Sequence, residues 1–110
     1  MCQNSLGGGG RYDYYAKHKW TDDEREYITR SYIIEYVLNA SSKERKEFVE
    51  EMSKEFADKP IGSIRMFCQN ISALTTEFKL TDNPPFSPEN NYSKPHRRVF
   101  EMLVDEYGLV

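Results

Sequence analysis

Residues 59–74 read KPIGSIRMFCQNISAL, and the way this stretch divides into two faces decides the fold. Pro60 follows a short polar break and suits the first turn of a helix, where its missing N–H costs nothing. Ile61, Ile64, Phe67, Cys68, Ile71 and Leu74 then recur at helical spacing as an apolar stripe. On the other side, Arg65, Met66, Gln69 and Asn70 occupy the i, i+1, i+4 and i+5 positions. Arg, Gln and Asn carry the paired donors and acceptors that match a base edge. The stripes predict burial of Ile64, Cys68 and Ile71, with Arg65, Gln69 and Asn70 left accessible.

Two amphipathic segments precede this helix. Trp20-Thr21-Asp22-Asp23-Glu24 is a strong start: Thr21 caps, Glu24 closes the capping box, and the acidic first turn complements the helix dipole. The first helix is expected over 21–38, burying Ile28, Ile34, Val37 and Leu38 with parts of Tyr27 and Tyr32, and with Trp20 folded back on its first turn. Ser41 and Glu44 read as a second capping box opening a helix over 42–57, with Phe48, Val49, Met52 and Phe56 inward. Its outward mixture of Lys and Glu reads as a solvated surface.

Residues 75–94 hold Pro84, Pro85 and Pro88 among asparagines and show no periodicity, so an irregular loop is expected there. Within it, Pro85-Phe86-Ser87-Pro88 is a minimal PxxP pattern that reads as a plain turn. Ser93-Lys94-Pro95 opens a last helix over 95–107, with Val99, Phe100, Leu103, Val104 and Tyr107 on one face and Gly108 as its stop. The expected architecture is all-α: a tri-helical unit of helix-turn-helix type plus a C-terminal helix, in one domain over 20–110. Residues 1–19, with four consecutive glycines and Tyr12, Tyr14 and Tyr15, read as a flexible tail.

The 110-residue chain carries a formal charge of −3, which weighs against coating nucleic acid by bulk electrostatics. Its 38% hydrophobic content is too high for a disordered chain. No apolar run reaches membrane-spanning length and no signal peptide is seen, so an intracellular, cytoplasmic setting is the default. Cys2 and Cys68 are too few for a disulfide framework or cysteine zinc site. His18 and His96 lie in no metal-ligand spacing, and His96 reads as solvated. No catalytic constellation, cofactor or metal site is implied.

The candidate contacts are Arg65, Gln69 and Asn70 for bases, with Lys94, Arg97, Arg98, Lys17 and Lys19 for phosphates. Duplex DNA is the leading expectation. The alternative is a protein partner, or a second copy of the chain. It draws on the acidic charge, the eight tyrosines and Phe67 on a helix expected to be half exposed.

These residues also carry a resemblance. Some HNH-type, restriction-like endonucleases have a helical region reading S-V-x-M-K-L-x-N-F-x-x-L and, after a loop, N-x-S-K-x-x-R-x-V-W. Ser63, Ile64, Met66, Asn70, Ile71 and Leu74 fit the first pattern; Asn91, Ser93, Lys94, Arg97, Val99 and Phe100 fit the second. Phe67 departs from the lysine common there. The whole is similar to a Myb/SANT-type tri-helical unit headed by a tryptophan. The resemblance implies a helical recognition or docking domain without the His-Asn-His cutting module, tied to bacterial or phage defence.

Overall fold

The tryptophan that precedes the first helix also closes the core. Trp20 is buried, with its ring edge-on to Phe56 at 5.5 Å and to Phe67 at 4.8 Å, centroid to centroid. In this computed structural model, which describes residues 20–39 and 43–109, the chain is all-helical and no strand occurs among the described residues. The tail expected over 1–19 lies outside them.

Helix α1 spans Asp22–Tyr32 and continues into a π-helical segment, Ile33–Leu38. Its capping box is formed in both directions: the Glu24 N–H donates to Thr21 Oγ1 at 3.2 Å, and the Thr21 N–H to Glu24 Oε1 at 2.9 Å. The inward face differs from the expected one. Ile28, Thr29, Tyr32 and Ile33 are buried, while Ile34 is 40% and Leu38 44% exposed. The wider turn of the π-helical segment leaves Ile34 and Leu38 on the side away from Tyr32 and Tyr36. Tyr32 and Tyr36 fill the core in their place.

Helix α2, Arg45–Glu55, begins later than expected. Glu44 is its N-cap and makes no side-chain cap bond; Ser41 lies outside the described residues. Phe48, Val49, Met52 and Phe56 are buried as expected. Helix α3, Ile61–Glu77, follows a short turn, with Pro60 as its N-cap rather than its first helical residue. It overruns the expected end by three residues. The cause is a Schellman turn, in which the Leu80 N–H donates to Thr75 O at 2.9 Å and the Lys79 N–H to Thr76 O at 3.0 Å. Lys79 takes the left-handed position at φ 60. Helix α4, Lys94–Glu106, ends in the same motif, with Gly108 at φ 65 and the Leu109 N–H donating to Val104 O.

Helix α4 packs on α1 through Val99, Leu103 and Ile33, while Phe100 and Val104 join the main core. Arg30 of α1 fixes the same pairing from the rim, bonded to Glu106 and to the Tyr107 hydroxyl.

The segment between α3 and α4 is irregular but not loose. Phe86 is 4% exposed, and its ring packs among Tyr32, Tyr36 and Phe48 at centroid distances of 6.1–6.2 Å. Its N–H donates to Ser72 Oγ at 3.3 Å, and Ser72 Oγ is bonded to the Tyr32 hydroxyl at 2.7 Å. The PxxP turn therefore carries a core residue. Phe86→Ala should cost about 3–5 kcal/mol, as for other buried Phe truncations. Urea denaturation measures it, and a loss below about 1 kcal/mol would mean that the loop is not part of the core.

Candidate nucleic-acid interface

Helix α3 is the most divided element of the fold. Its C-terminal part is sealed, with every residue from Asn70 to Thr75 buried; its N-terminal part leaves Ile61, Gly62, Arg65 and Met66 exposed and Gln69 half-buried. Ile61, Arg65 and Gln69 follow at four-residue spacing, one helical turn each. They form one wall of a groove of about 400 Å³. Arg45, Lys46, Val49 and Glu50 of α2 form the second wall, and Phe86 and Ser87 complete the lining. A shallower depression lined by Glu50, Ser53, Lys54 and Ile61 shares two residues with it and continues past it.

The described cations divide into paired and unpaired, and Lys54, Lys79, Lys94 and Arg98 join the groove's three in the second group. Arg25, Arg30, Lys43, Lys59 and Arg97 are all in ion pairs within the chain. Arg45, Lys46 and Arg65 make no hydrogen bond or ion pair among the described residues. Glu50 is the single carboxylate in the lining. Two guanidinium groups and one ammonium group thus line one concavity with the Glu50 carboxylate, and none of the three is ion-paired among the described residues.

The segment beside the groove is strapped to α3. The Glu89 N–H donates to Gln69 O at 3.1 Å, and the Asn70 side-chain amide donates to Glu89 O at 2.7 Å and to Asn91 Oδ1 at 2.8 Å. This corrects the expected role of Asn70. It is 4% exposed, and its amide holds the strap rather than facing a ligand. Phe67 of the apolar stripe is 2% exposed and so offers a partner no surface, whereas Ile61 of the same stripe is 47% exposed.

The C-terminal cluster also separates. Arg97 is bound by Glu77, Glu101 and the Tyr92 hydroxyl and lies over the Phe78 ring at 5.1 Å. The Glu77 bond raises its pKa above the usual guanidinium value. Lys94 and Arg98 are exposed, and neither lines the groove. Lys94 follows Asn91 by three residues, so its backbone lies within about 11 Å of the strap anchor. Lys17 and Lys19 lie outside the described residues.

Sequence reasoning missed Arg45, Lys46, Glu50, Phe86 and Ser87. One signal was present: Arg45 has Phe48 and Val49 at the positions where a helical ion-pair partner would stand.

No protein-family model matches the chain, and neither a curated protein nor a solved structure does. Among the described residues, no group of His, Cys, Asp and Glu could hold a metal ion, and no helix is long and apolar enough to cross a membrane.

His96, read from sequence as solvated, is half-buried and stacks on Phe67 at 4.2 Å between ring centroids. Burial, then the charge of Arg25, pushes its pKa down from 6.5 to about 4. Its Nδ1 is buried without a hydrogen-bond partner, as is Arg25 Nε. The unfolded chain therefore takes up this proton first, and stability is lost as pH falls from about 6.5 toward 4. Between pH 7.5 and 5, the wild type should lose on the order of 1–2 kcal/mol more than His96→Gln, read by urea denaturation. Equal losses in the two proteins would show that His96 titrates normally in the fold.

Proposed function

We propose that the chain is a non-catalytic DNA-binding module in which α2, the 56–60 turn and α3 act in the manner of a helix-turn-helix. In that arrangement the N-terminal residues of the second helix meet base edges while the first helix crosses the backbone. Arg65 and Gln69 stand on the open N-terminal half of α3, and Arg45 and Lys46 on the first turn of α2. The observation that carries this reading is the gathering of Arg45, Lys46 and Arg65 around Gln69 in one groove, with none of the three side chains ion-paired among the described residues. The likeness to the helical region of HNH-type endonucleases and to Myb/SANT units points the same way. Lys94 and Arg98 supply backbone contacts from the flank. Arg97 adds little, because its charge is already spent on Glu77 and Glu101.

The apolar part of the lining, Val49, Ile61 and Phe86, favours a second reading, in which an acidic segment of a partner protein lies in the same groove.

Fluorescence anisotropy against duplex DNA at two salt concentrations decides between them. Four phosphate contacts, from Arg45, Lys46, Lys94 and Arg98, give a log–log salt slope of about −3.6. Arg45→Ala and Lys46→Ala should weaken all duplexes alike and flatten that slope by about one each. Arg65→Ala and Gln69→Ala should each weaken a preferred sequence by ~1–3 kcal/mol. Arg97→Ala should leave the slope unchanged. If no duplex binds at low salt, the DNA reading fails, and an acidic protein partner becomes the explanation for the free cations.

A further inference from the structure

The open half of α3 lies in a recess, not on a ridge. Residues of α2 stand on one side of Arg65 and Gln69, and the strapped segment at Phe86 and Ser87 completes the lining. A base paired within a duplex shows only its groove edge, because its faces are covered by stacking. Backbone phosphates, for their part, need no apolar lining. The recess nevertheless offers the exposed Ile61 over a floor of Val49 and Phe86, which are 3% and 4% exposed, and its volume of about 400 Å³ suits a small planar group.

Its polar residues are graded in kind. Gln69 brings one donor group and one acceptor, Ser87 a hydroxyl that does both, and Glu50 a carboxylate that only accepts. Glu50 is the informative member. Against phosphates alone it works in opposition to Arg45, Lys46 and Arg65. Against a base with an exocyclic amine it accepts that amine's hydrogen, as carboxylates do from cytosine N4. Bases that leave the stack are held in this combination: apolar side chains on the face and hydrogen bonds to the Watson–Crick edge.

We infer that the α2–α3 groove takes a single unpaired, amine-bearing base of the bound DNA, cytosine being the simplest case. Ile61 contacts its face over a floor of Val49 and Phe86, and Glu50, Arg65, Gln69 and Ser87 read its edge. Arg45 and Lys46 hold the phosphates on either side. Thymine, which lacks the exocyclic amine, is discriminated against by Glu50. This rests on the DNA-binding reading given above and specifies what that site recognises.

The test uses the full chain and four duplexes of equal length: fully matched, and with a central bulged cytosine, bulged thymine or bulged abasic nucleotide. The abasic bulge reproduces the flexibility without the base. Binding is followed by anisotropy, and 2-aminopurine at the bulge reports its stacking. The bulged cytosine should bind about 10-fold or more tightly than the matched duplex, since the cost of unstacking is already met. The thymine and abasic bulges should stay near the matched affinity, and 2-aminopurine emission should change on binding. Glu50→Ala should erase the preference for cytosine over thymine, with circular dichroism confirming the helical fold. Equal affinity for matched and cytosine-bulged DNA overturns the inference, as does an abasic bulge that binds as tightly as cytosine; either leaves the DNA-binding reading standing. Absence of binding to all four removes that reading and the inference with it.

Discussion

A single buried oxygen joins three parts of this fold. Ser72 Oγ, on the sealed half of α3, is bonded to the Tyr32 hydroxyl of α1 and accepts the Phe86 N–H of the connecting segment. Burial pushes the Tyr32 phenol up to about 12, so its hydroxyl keeps its proton at any ordinary pH. Removing a partner from such a knot leaves a dehydrated polar group, worth about 1–3 kcal/mol. The consequence reaches the surface. With Phe86 fixed against Tyr32, Tyr36 and Phe48, Ser87 is set beside the groove, and the chain passes over α3 where Asn70 holds Glu89 and Asn91. A polar contact deep in the core thus decides where one side of the candidate site stands.

The electrostatic organisation has a comparable logic. A chain of net charge −3 gains nothing from its basic residues by bulk attraction. Local arrangement is what matters, because exposed charges more than about 8–10 Å apart are largely screened at physiological salt. Arg97 and Arg65 illustrate the two outcomes. Arg97 emerges beside Glu77 and Glu101, and its guanidinium is consumed in joining α4 to the end of α3. Arg65 emerges where α3 borders α2, whose nearest lining residues include Arg45 and Lys46. Similar residues in the sequence therefore become a structural tie in one place and a free cation in the other.

How much of this was legible in the sequence depends on the kind of signal. Helices α2 and α4 were readable because their apolar residues keep one phase throughout, and the starts of α1 and α4 because Thr21 and Ser93 cap them as their positions suggest. The second half of α1 was not. Its apolar residues are too many to define one face, and burying aromatic Tyr32 and Tyr36 leaves Ile34 and Leu38 outside. The end of α3 was hidden because its Schellman turn places lysine, not glycine, in the left-handed position. Asn70 was misread for a deeper reason: local sequence gives its side of the helix but not the arrival of residues 89–91, some twenty positions later. Arg65 and Gln69 were found because one turn of helix spacing aligns them. Arg45 and Lys46 were lost in a face that looks uniformly charged until a neighbouring helix singles them out.

The division of α3 into a sealed and an open half also explains why the site lies at one end of the helix. A helix buried all round has no surface for a ligand, and one exposed along its length has little to hold it in place. Here residues 70–75 are enclosed by α1, α2, α4 and the strap, which fixes the axis, while residues 61–69 remain open on one side. The open part inherits rigidity from the closed part without giving up access. Gln69 stands at the boundary: its backbone carbonyl accepts the strap's Glu89 N–H while its side chain lines the groove. A polar group held by its own main chain loses less conformational freedom on binding than one on a mobile loop. Gln69 is thus the groove residue whose main chain is tied to the strap while its side chain stays in the lining.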